Sequence, residues 1–292
     1  MMNLRQIELA LAVAEEENFT RAAQRCHIVQ SALSHQVARL EETLGAQLFE
    51  RGARRTRLTP AGQVFVPAAR RLLHEAQRLK EEVAAVGGQV RGTLSVGVIS
   101  ALTVLEPVDL LADFHQRHRQ VDVRLQMGMS ETMMADVREH RLDIAFVGLW
   151  PDERIEGLQS RLLEEEALVA VVWQGHPLAR LGEVCLAQLA AEPLVDYYTG
   201  SGARRQTDEA FRAAGYDRHV HFEVGHVDLL ARIVRRQLAI GLVPARTAPG
   251  LGGLAILPVR DAPSRRVYCT WSRHPTPAAM AFLELALARF PG

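Results

Sequence analysis

The stretch from Phe19 to Arg57 constrains this chain more than any other. It opens Phe19-Thr20-Arg21-Ala22-Ala23-Gln24-Arg25-Cys26, where Thr20 is a suitable N-cap and Ala22, Ala23 and Cys26 make a small-residue face. Small residues there let a second helix cross closely. After His27-Ile28-Val29, Gln30 or Ser31 can cap that second helix, whose apolar positions Leu33, Val37 and Leu40 follow a 3-4 spacing. Gln30, Ser31, Ser34, His35 and Arg39 are left on the opposite, solvent face. Such side chains can read base edges, and they stand where the second helix of a helix-turn-helix needs them.

The bland alternative is an ordinary helical hairpin with a polar outer face. The surroundings favour DNA: Arg51, Arg54, Arg55 and Arg57 fall in a seven-residue window, placed to meet phosphates, with no carboxylate partners expected nearby. Leu48-Phe49 and Leu58 bracket these arginines as in a two-stranded wing. Upstream, Leu4, Ile7, Leu11 and Val13-Ala14 predict a helix backing the hairpin, which Glu15 to Asn18 ends. Phe19 should plug the small core, and Gly45 is a natural C-cap.

These residues also carry a resemblance to the LysR-type transcriptional regulators. It rests on Leu4-Arg5-Gln6-Ile7, Phe19-Thr20-Arg21-Ala22-Ala23, Gln30-Ser31-Ala32-Leu33-Ser34-His35-Gln36-Val37 and Leu40-Glu41. Leu44-Gly45, Leu48-Phe49-Glu50-Arg51 and Leu58-Thr59-Pro60-Ala61-Gly62 extend it over roughly the first sixty residues. Many relatives have Arg where His35 stands, a shorter and pH-dependent substitute. The resemblance implies an α/β chain with a winged helix-turn-helix at 1–58, a dimerising linker helix at 59–89 and a two-lobed regulatory domain at 90–292. That domain is of the periplasmic-binding-protein (type 2) kind, with lobe I at 90–161 and 266–292 and lobe II at 162–265. It further implies a homodimer or homotetramer on an imperfect palindrome in double-stranded promoter DNA, a small-molecule effector between the lobes, and RNA polymerase as a further candidate partner. No enzymatic activity and no cofactor are expected.

Bulk composition bounds the rest. With 48% hydrophobic and 23% charged residues in 292, the chain is that of a globular protein of about two domains. Lys+Arg and Asp+Glu balance at 34 each, so the average gives no hint of nucleic acid. The distribution does: residues 1–91 hold thirteen basic and ten acidic side chains. Cys26, Cys185 and Cys269 are too scattered for a disulfide framework, which suits a reducing cytosol. Met1 to Ala14 has acidic rather than basic flanks, unlike a signal peptide, and no apolar run approaches membrane-spanning length; a cytoplasmic location is expected.

Thr59-Pro60 predicts a helix start. From there Phe65, Leu72, Leu79 and Val86 recur every seven residues, with Ala69, Ala76 and Val83 between them. This is a seam that must pair with another helix, in its own domain or in a second subunit, and the subunit reading is preferred. Pro67 inside it predicts a bend. Gly87-Gly88 ends the helix. Strands are then expected at 93–98, 121–127 and 143–147, with helices at 102–117 and 132–139 between them. A second lobe is expected near Leu162, with strands at 168–173, 194–197, 220–224 and 240–243 and helices at 186–191, 206–214 and 228–236. Strand 266–271 and helix 278–290 close the chain. Such alternation argues an open, largely parallel sheet.

In sheets of this kind ligands sit beyond strand ends, against helix N-termini. Three polar turns qualify: Val98 to Thr103 with Ser100 and Thr103, Gly128 to Thr132 with Ser130 and Thr132, and Tyr198 to Gly202 with Thr199 and Ser201. Taken singly, each serine reads as a plain N-cap; the resemblance is what makes the three converge on one cleft. Gly148, Leu149 and Trp150, and Gly225-His226-Val227 from the other lobe, are candidate walls, although His226 alone is more a structural histidine than a ligand. Helix ends and hydroxyls without a buried acid favour an anion, a small organic acid. Of the eleven histidines, His115/His118 and His219/His221 are close in sequence but lack a Cys or acidic partner at ligand spacing, so no metal is expected. The peroxide-sensing role known in the family needs a reactive cysteine pair in lobe II; Cys185 and Cys269 lie far apart, which disfavours it. An enzyme is the competing class. Gly200-Ser201-Gly202 is no nucleophile elbow because Thr199 stands where glycine is needed, and no Walker loop or dinucleotide fingerprint occurs. A solute-binding protein is disfavoured by the DNA-like first sixty residues.

Overall fold

The computed structural model describes every residue except 1, 52–54, 87–88, 101, 103, 152, 261 and 291–292, and the Arg51 side chain. The chain divides into two compact units, Met1–Gly88 and Gln89–Gly292.

The first unit runs α1 (Leu4–Glu16), α2 (Phe19–Arg25), α3 (Gln30–Leu44), β1 (Phe49–Arg51), β2 (Thr56–Leu58) and α4 (Pro60–Ala85). Asn3 and Gln6 form a capping box on α1. The cap of α2 is Asn18, whose side chain accepts from the Arg21 amide at 2.9 Å, and not Thr20. Thr20 already lies inside the helix, where a side chain no longer reaches the orphan amides. Similarly, Val29 occupies the cap position of α3 without a side-chain bond, so Gln30 and Ser31 are its first helical residues. Gly45, at φ 69°, ends α3 in the left-handed region that glycine enters without cost. Leu33, Val37 and Leu40 bury against Leu9, Val13, Ala22, Ala23, Leu48 and Phe49, and Phe19 meets Phe49 edge to face at 5.8 Å. The Glu41 carboxylate accepts from the Leu48 and Phe49 amides at 2.7 and 3.2 Å and so ties α3 to the β1–β2 wing.

Thr59 caps α4 through the Gly62 amide at 3.0 Å, with Pro60 next. Val66 and Ala69 pack on Ile7 and Leu11, and Phe65 is drawn into the same core. Phe65 and Ala69, at the start of the expected seam, therefore serve their own unit. Leu72, Leu79, Val83 and Val86 are 42, 62, 68 and 90% exposed.

In the second unit the order is β3 (Gly92–Val98), α5 (Pro107–Arg117), β4 (Val121–Met127), α6 (Ser130–Arg138), β5 (Ile144–Leu149) and β6 (Gln159–Trp173). Next come β7 (Val184–Cys185), α7 (Leu186–Ala190), β8 (Leu194–Tyr197), α8 (Gly202–Ala213), β9 (Val220–Val224) and α9 (Val227–Arg235). The unit ends with β10 (Ile240–Pro244), β11 (Leu254–Arg260), β12 (Ser264–Trp271) and α10 (Pro277–Leu287). Strands are ordered β4-β3-β5-β12-β6-β10-β8-β9, with β11 on β6 and β7.

Only the flanks are parallel. β12 runs antiparallel to β5 and β6, and β6 antiparallel to β10 and β11, because the crossing strands return the chain between two lobes. β6 carries straight through the expected division at 161/162: up to Ala167 it pairs with β12, and from Leu168 with β10 and β11. Lobe I packs Leu94, Val96, Leu110, Phe114, Ile144 and Phe146 under α10, where Phe114 meets Phe282 edge to face. Lobe II buries Leu168, Ala170, Leu194, Phe211, Ile240 and Leu242. Every residue of β5 is buried, as in a central strand covered on both sides. Among the described residues no helix is long and apolar enough to cross a membrane.

Candidate DNA interface and effector cavity

On α3, the burial of Leu33, Val37 and Leu40 turns Gln30, Ser31, His35 and Arg39 outward, all exposed, with Ser34 half-buried between them. The Gln30 amide donates to the Ser34 hydroxyl at 2.9 Å, which holds two potential base-reading groups together. Thr20 is exposed in the first turn of α2. Arg55 is exposed in the wing but lies 3.4 Å from the Glu17 carboxylate, so the expectation of arginines without acidic neighbours fails there. Such a pair on the surface is weak and readily exchanged for a phosphate. Arg54 lies outside the described residues.

In the second unit a cavity of about 480 Å³ opens between the lobes. Of the expected ligands, Ser100, Ser130, Thr132, Ser201 and His226 line it. Thr103 lies outside the described residues. Thr199 is not among the lining residues: its hydroxyl donates to Glu223 at 2.7 Å. Gly148 lines the cavity; Leu149 and Trp150 do not.

Their hydrogen bonds distinguish these side chains. The Ser130 hydroxyl donates to the Gly148 carbonyl at 2.9 Å and accepts from the Gly148 amide at 3.0 Å, bracing α6 on β5. Ser201 donates to the Tyr198 carbonyl at 2.8 Å and accepts from the Arg204 amide, an N-cap of α8. A hydroxyl has one proton. Both serines have spent it, so neither can donate to a ligand. His226 caps α9, with Nδ1 accepting from the Asp228 amide at 3.3 Å.

Other lining residues had no sequence signal. Tyr197, at the end of β8, has a buried hydroxyl next to Ser100. Burial pushes its pKa up to about 12, with the Arg265 charge and the neighbouring Ser100 opposing. Arg265, on β12, is buried and donates to the buried Glu166 of β6 from Nε at 2.9 Å and Nη2 at 2.6 Å. Gln206 is buried on the wall. Asp196 is buried there too, which corrects the expectation of a cleft without a buried acid. It is answered by Arg218 Nη1 at 2.6 Å and the Thr207 hydroxyl at 2.6 Å, so it adds no net charge to the wall. Ile99, Met127, Met129, Leu168, Leu242 and Pro244 make most of the remainder apolar.

Fold and site together define a two-part regulator, a winged helix-turn-helix unit joined to a two-lobed unit with a ligand-sized cavity. The family models place it more closely. Residues 4–63 match the bacterial regulatory helix-turn-helix protein, lysR family, and residues 87–291 match the LysR substrate binding domain. The chain belongs to the LysR family of transcriptional regulators, which are DNA-binding proteins and not enzymes. It is similar to the RuBisCO operon transcriptional regulator of Allochromatium vinosum, 30% identical over 98% of this chain and 96% of the relative. The hydrogen peroxide-inducible genes activator of Pectobacterium carotovorum subsp. carotovorum is 28% identical over 98% of this chain and 95% of its own. Among solved structures, full-length OxyR from Pseudomonas aeruginosa (a cysteine-to-aspartate variant) superposes with a TM-score of 0.74. Its identity is 24%, covering 99% of this chain and 95% of that one, a likeness of fold.

Proposed function

We propose that this regulator grips operator DNA through α3 and the wing, and that an anionic organic molecule in the interlobe cavity governs that grip. Gln30, Ser31, Ser34, His35 and Arg39 face bases, while Thr20, Arg54 and Arg55 meet phosphates. The exposed seam of Leu72, Leu79 and Val86 joins two subunits so that two α3 helices span a palindrome, with RNA polymerase a further candidate partner in the cytoplasm.

The effector reading is carried by the Tyr197 hydroxyl, buried next to Ser100 at the wall of a largely apolar cavity. Near it lies Arg265, whose guanidinium is held by the buried Glu166 and leaves the wall without net charge from that pair. The apolar walls suit a carboxylate with a hydrocarbon or aromatic body. Ser130 and Ser201 shape this site rather than donate in it.

The names of the peroxide-activated relatives raise a thiol-based response. No cysteine lines the cavity, and Cys269 is fully buried, which drives its thiol pKa far upward and leaves it unreactive. Cys185 is half-buried in lobe II. The organic-acid reading has the better support.

A thermal-shift panel of monocarboxylates, amines and neutral sugars on the full chain tests it. A carboxylate is expected to raise the melting temperature, and Tyr197→Phe, which removes only the hydroxyl, should weaken that ligand about 10-fold. Stabilisation by amines or sugars alone, or a carboxylate hit indifferent to both Tyr197→Phe and Ser100→Ala, would sink the anion site.

A further inference from the structure

Next to the cavity-lining Ser130, Thr132 and Gly202, an ion-pair cluster joins members from opposite lobes. Arg205, on α8 of lobe II, places Nη2 2.7 Å from Glu131 Oε1 and 2.8 Å from Glu153 Oε1. Glu131 sits in the first turn of α6 and Glu153 follows β5, both in lobe I and both half-buried. Gly202 completes the arrangement: a Cβ there would overlap Glu131 Oε1, so the first residue of α8 has no side chain where the carboxylate rests. Glu131 thus meets both a guanidinium and the positive end of α8.

We propose that Arg205, Glu131, Glu153 and Gly202 form a clasp that holds the lobes together beside the cavity and sets how often they part. A single exposed ion pair contributes little. Here one guanidinium is shared by two carboxylates, and one of those also faces a helix end, so a single lobe rotation breaks every contact at once. The consequence for regulation rests on the effector reading above: a ligand held between the lobes prefers the closed arrangement, and its apparent affinity scales with the closed fraction. Closing the lobes in advance raises affinity without any new ligand contact. The clasp itself needs no effector.

The test is therefore made on ligand-free protein. Spin labels are attached through Asp122→Cys on β4 and His221→Cys on β9, exposed positions at the two outer edges of the sheet, with Cys26→Ser and Cys185→Ser removing accessible native thiols. The labelled full chain is diluted with unlabelled protein so that pulsed dipolar spectroscopy reads distances within one chain. Arg205→Met is expected to shift and broaden the distance distribution. Gly202→Ala should do the same without touching a charge, by displacing Glu131. Raising salt should move the parent protein toward the Arg205→Met distribution and leave that variant unchanged. Parental distributions in both Arg205→Met and Gly202→Ala would overturn the clasp. If instead no carboxylate stabilises the protein while these shifts occur, the effector reading fails and the clasp stands.

Discussion

Replacing Leu72 and Leu79 together with glutamate is expected to convert the oligomer to single chains and abolish tight binding to a palindrome. Both side chains are exposed on α4, Leu72 by 42% and Leu79 by 62%, so the substitution costs the isolated chain little. In a paired helix seam it buries like charges against each other, where each uncompensated carboxylate costs several kcal/mol. Losing the link between two half-sites removes the effective-concentration gain, roughly 10²–10⁴ in affinity. Light scattering and gel shift read the two effects. An intact oligomer would mean that the subunits are held through other surfaces. Phe65→Glu gives a different result: its core place in the first unit predicts unfolding of that unit, not clean dissociation.

Arg218→Met is expected to destabilise the second unit by about 3–5 kcal/mol, the usual cost of stranding one member of a buried ion pair. The Arg218 side chain is 6% exposed and that of Asp196 4%, with Arg218 also donating to Thr207 at 2.8 Å and lying 5.0 Å from the Phe211 ring. Without the guanidinium, Asp196 keeps only the Thr207 hydroxyl and the Tyr197 amide. The double variant Arg218→Met with Asp196→Asn should recover much of the loss, since no buried charge is left alone. All three tryptophans, Trp150, Trp173 and Trp271, lie in the second unit, so their fluorescence during urea unfolding follows that unit by itself. An unchanged midpoint would show that water reaches Asp196.

Local patterns were enough for the helix-turn-helix. Leu33, Val37 and Leu40 define a buried stripe that leaves the polar face of α3 no alternative orientation. Caps were less legible, because Asn18 and Thr20 compete for one role and only the backbone decides. The start of β6 was missed because Glu164-Glu165-Glu166 reads as a solvated run. Each of these carboxylates in fact meets an arginine far along the chain: Glu164 pairs with Arg246, Glu165 with Arg266 and Glu166 with Arg265. β11 was missed as well, since Pro258 removes a strand donor and marks a break in most contexts. The cavity was legible as three turns and not as a set of donors. Whether a serine proton faces a ligand or the Gly148 carbonyl depends on packing between elements. Tyr197 and Arg265 enter the site only because the end of β8 and the start of β12 both reach the cavity, which no local pattern encodes.

The most direct measurement is operator binding by fluorescence anisotropy, comparing a duplex from upstream of the chain's own gene with a scrambled duplex over a range of salt. Ser34→Ala with His35→Ala should lower the ratio of the two affinities by about 10-fold or more, since each lost base contact removes about 1–3 kcal/mol of discrimination. Arg55→Ala should weaken both duplexes alike and reduce the salt slope by about 0.9, the signature of one lost phosphate contact. An unchanged affinity ratio after replacing both Ser34 and His35 would contradict the assignment of the outer face of α3 to the bases, and with it the account of how this protein recognises DNA.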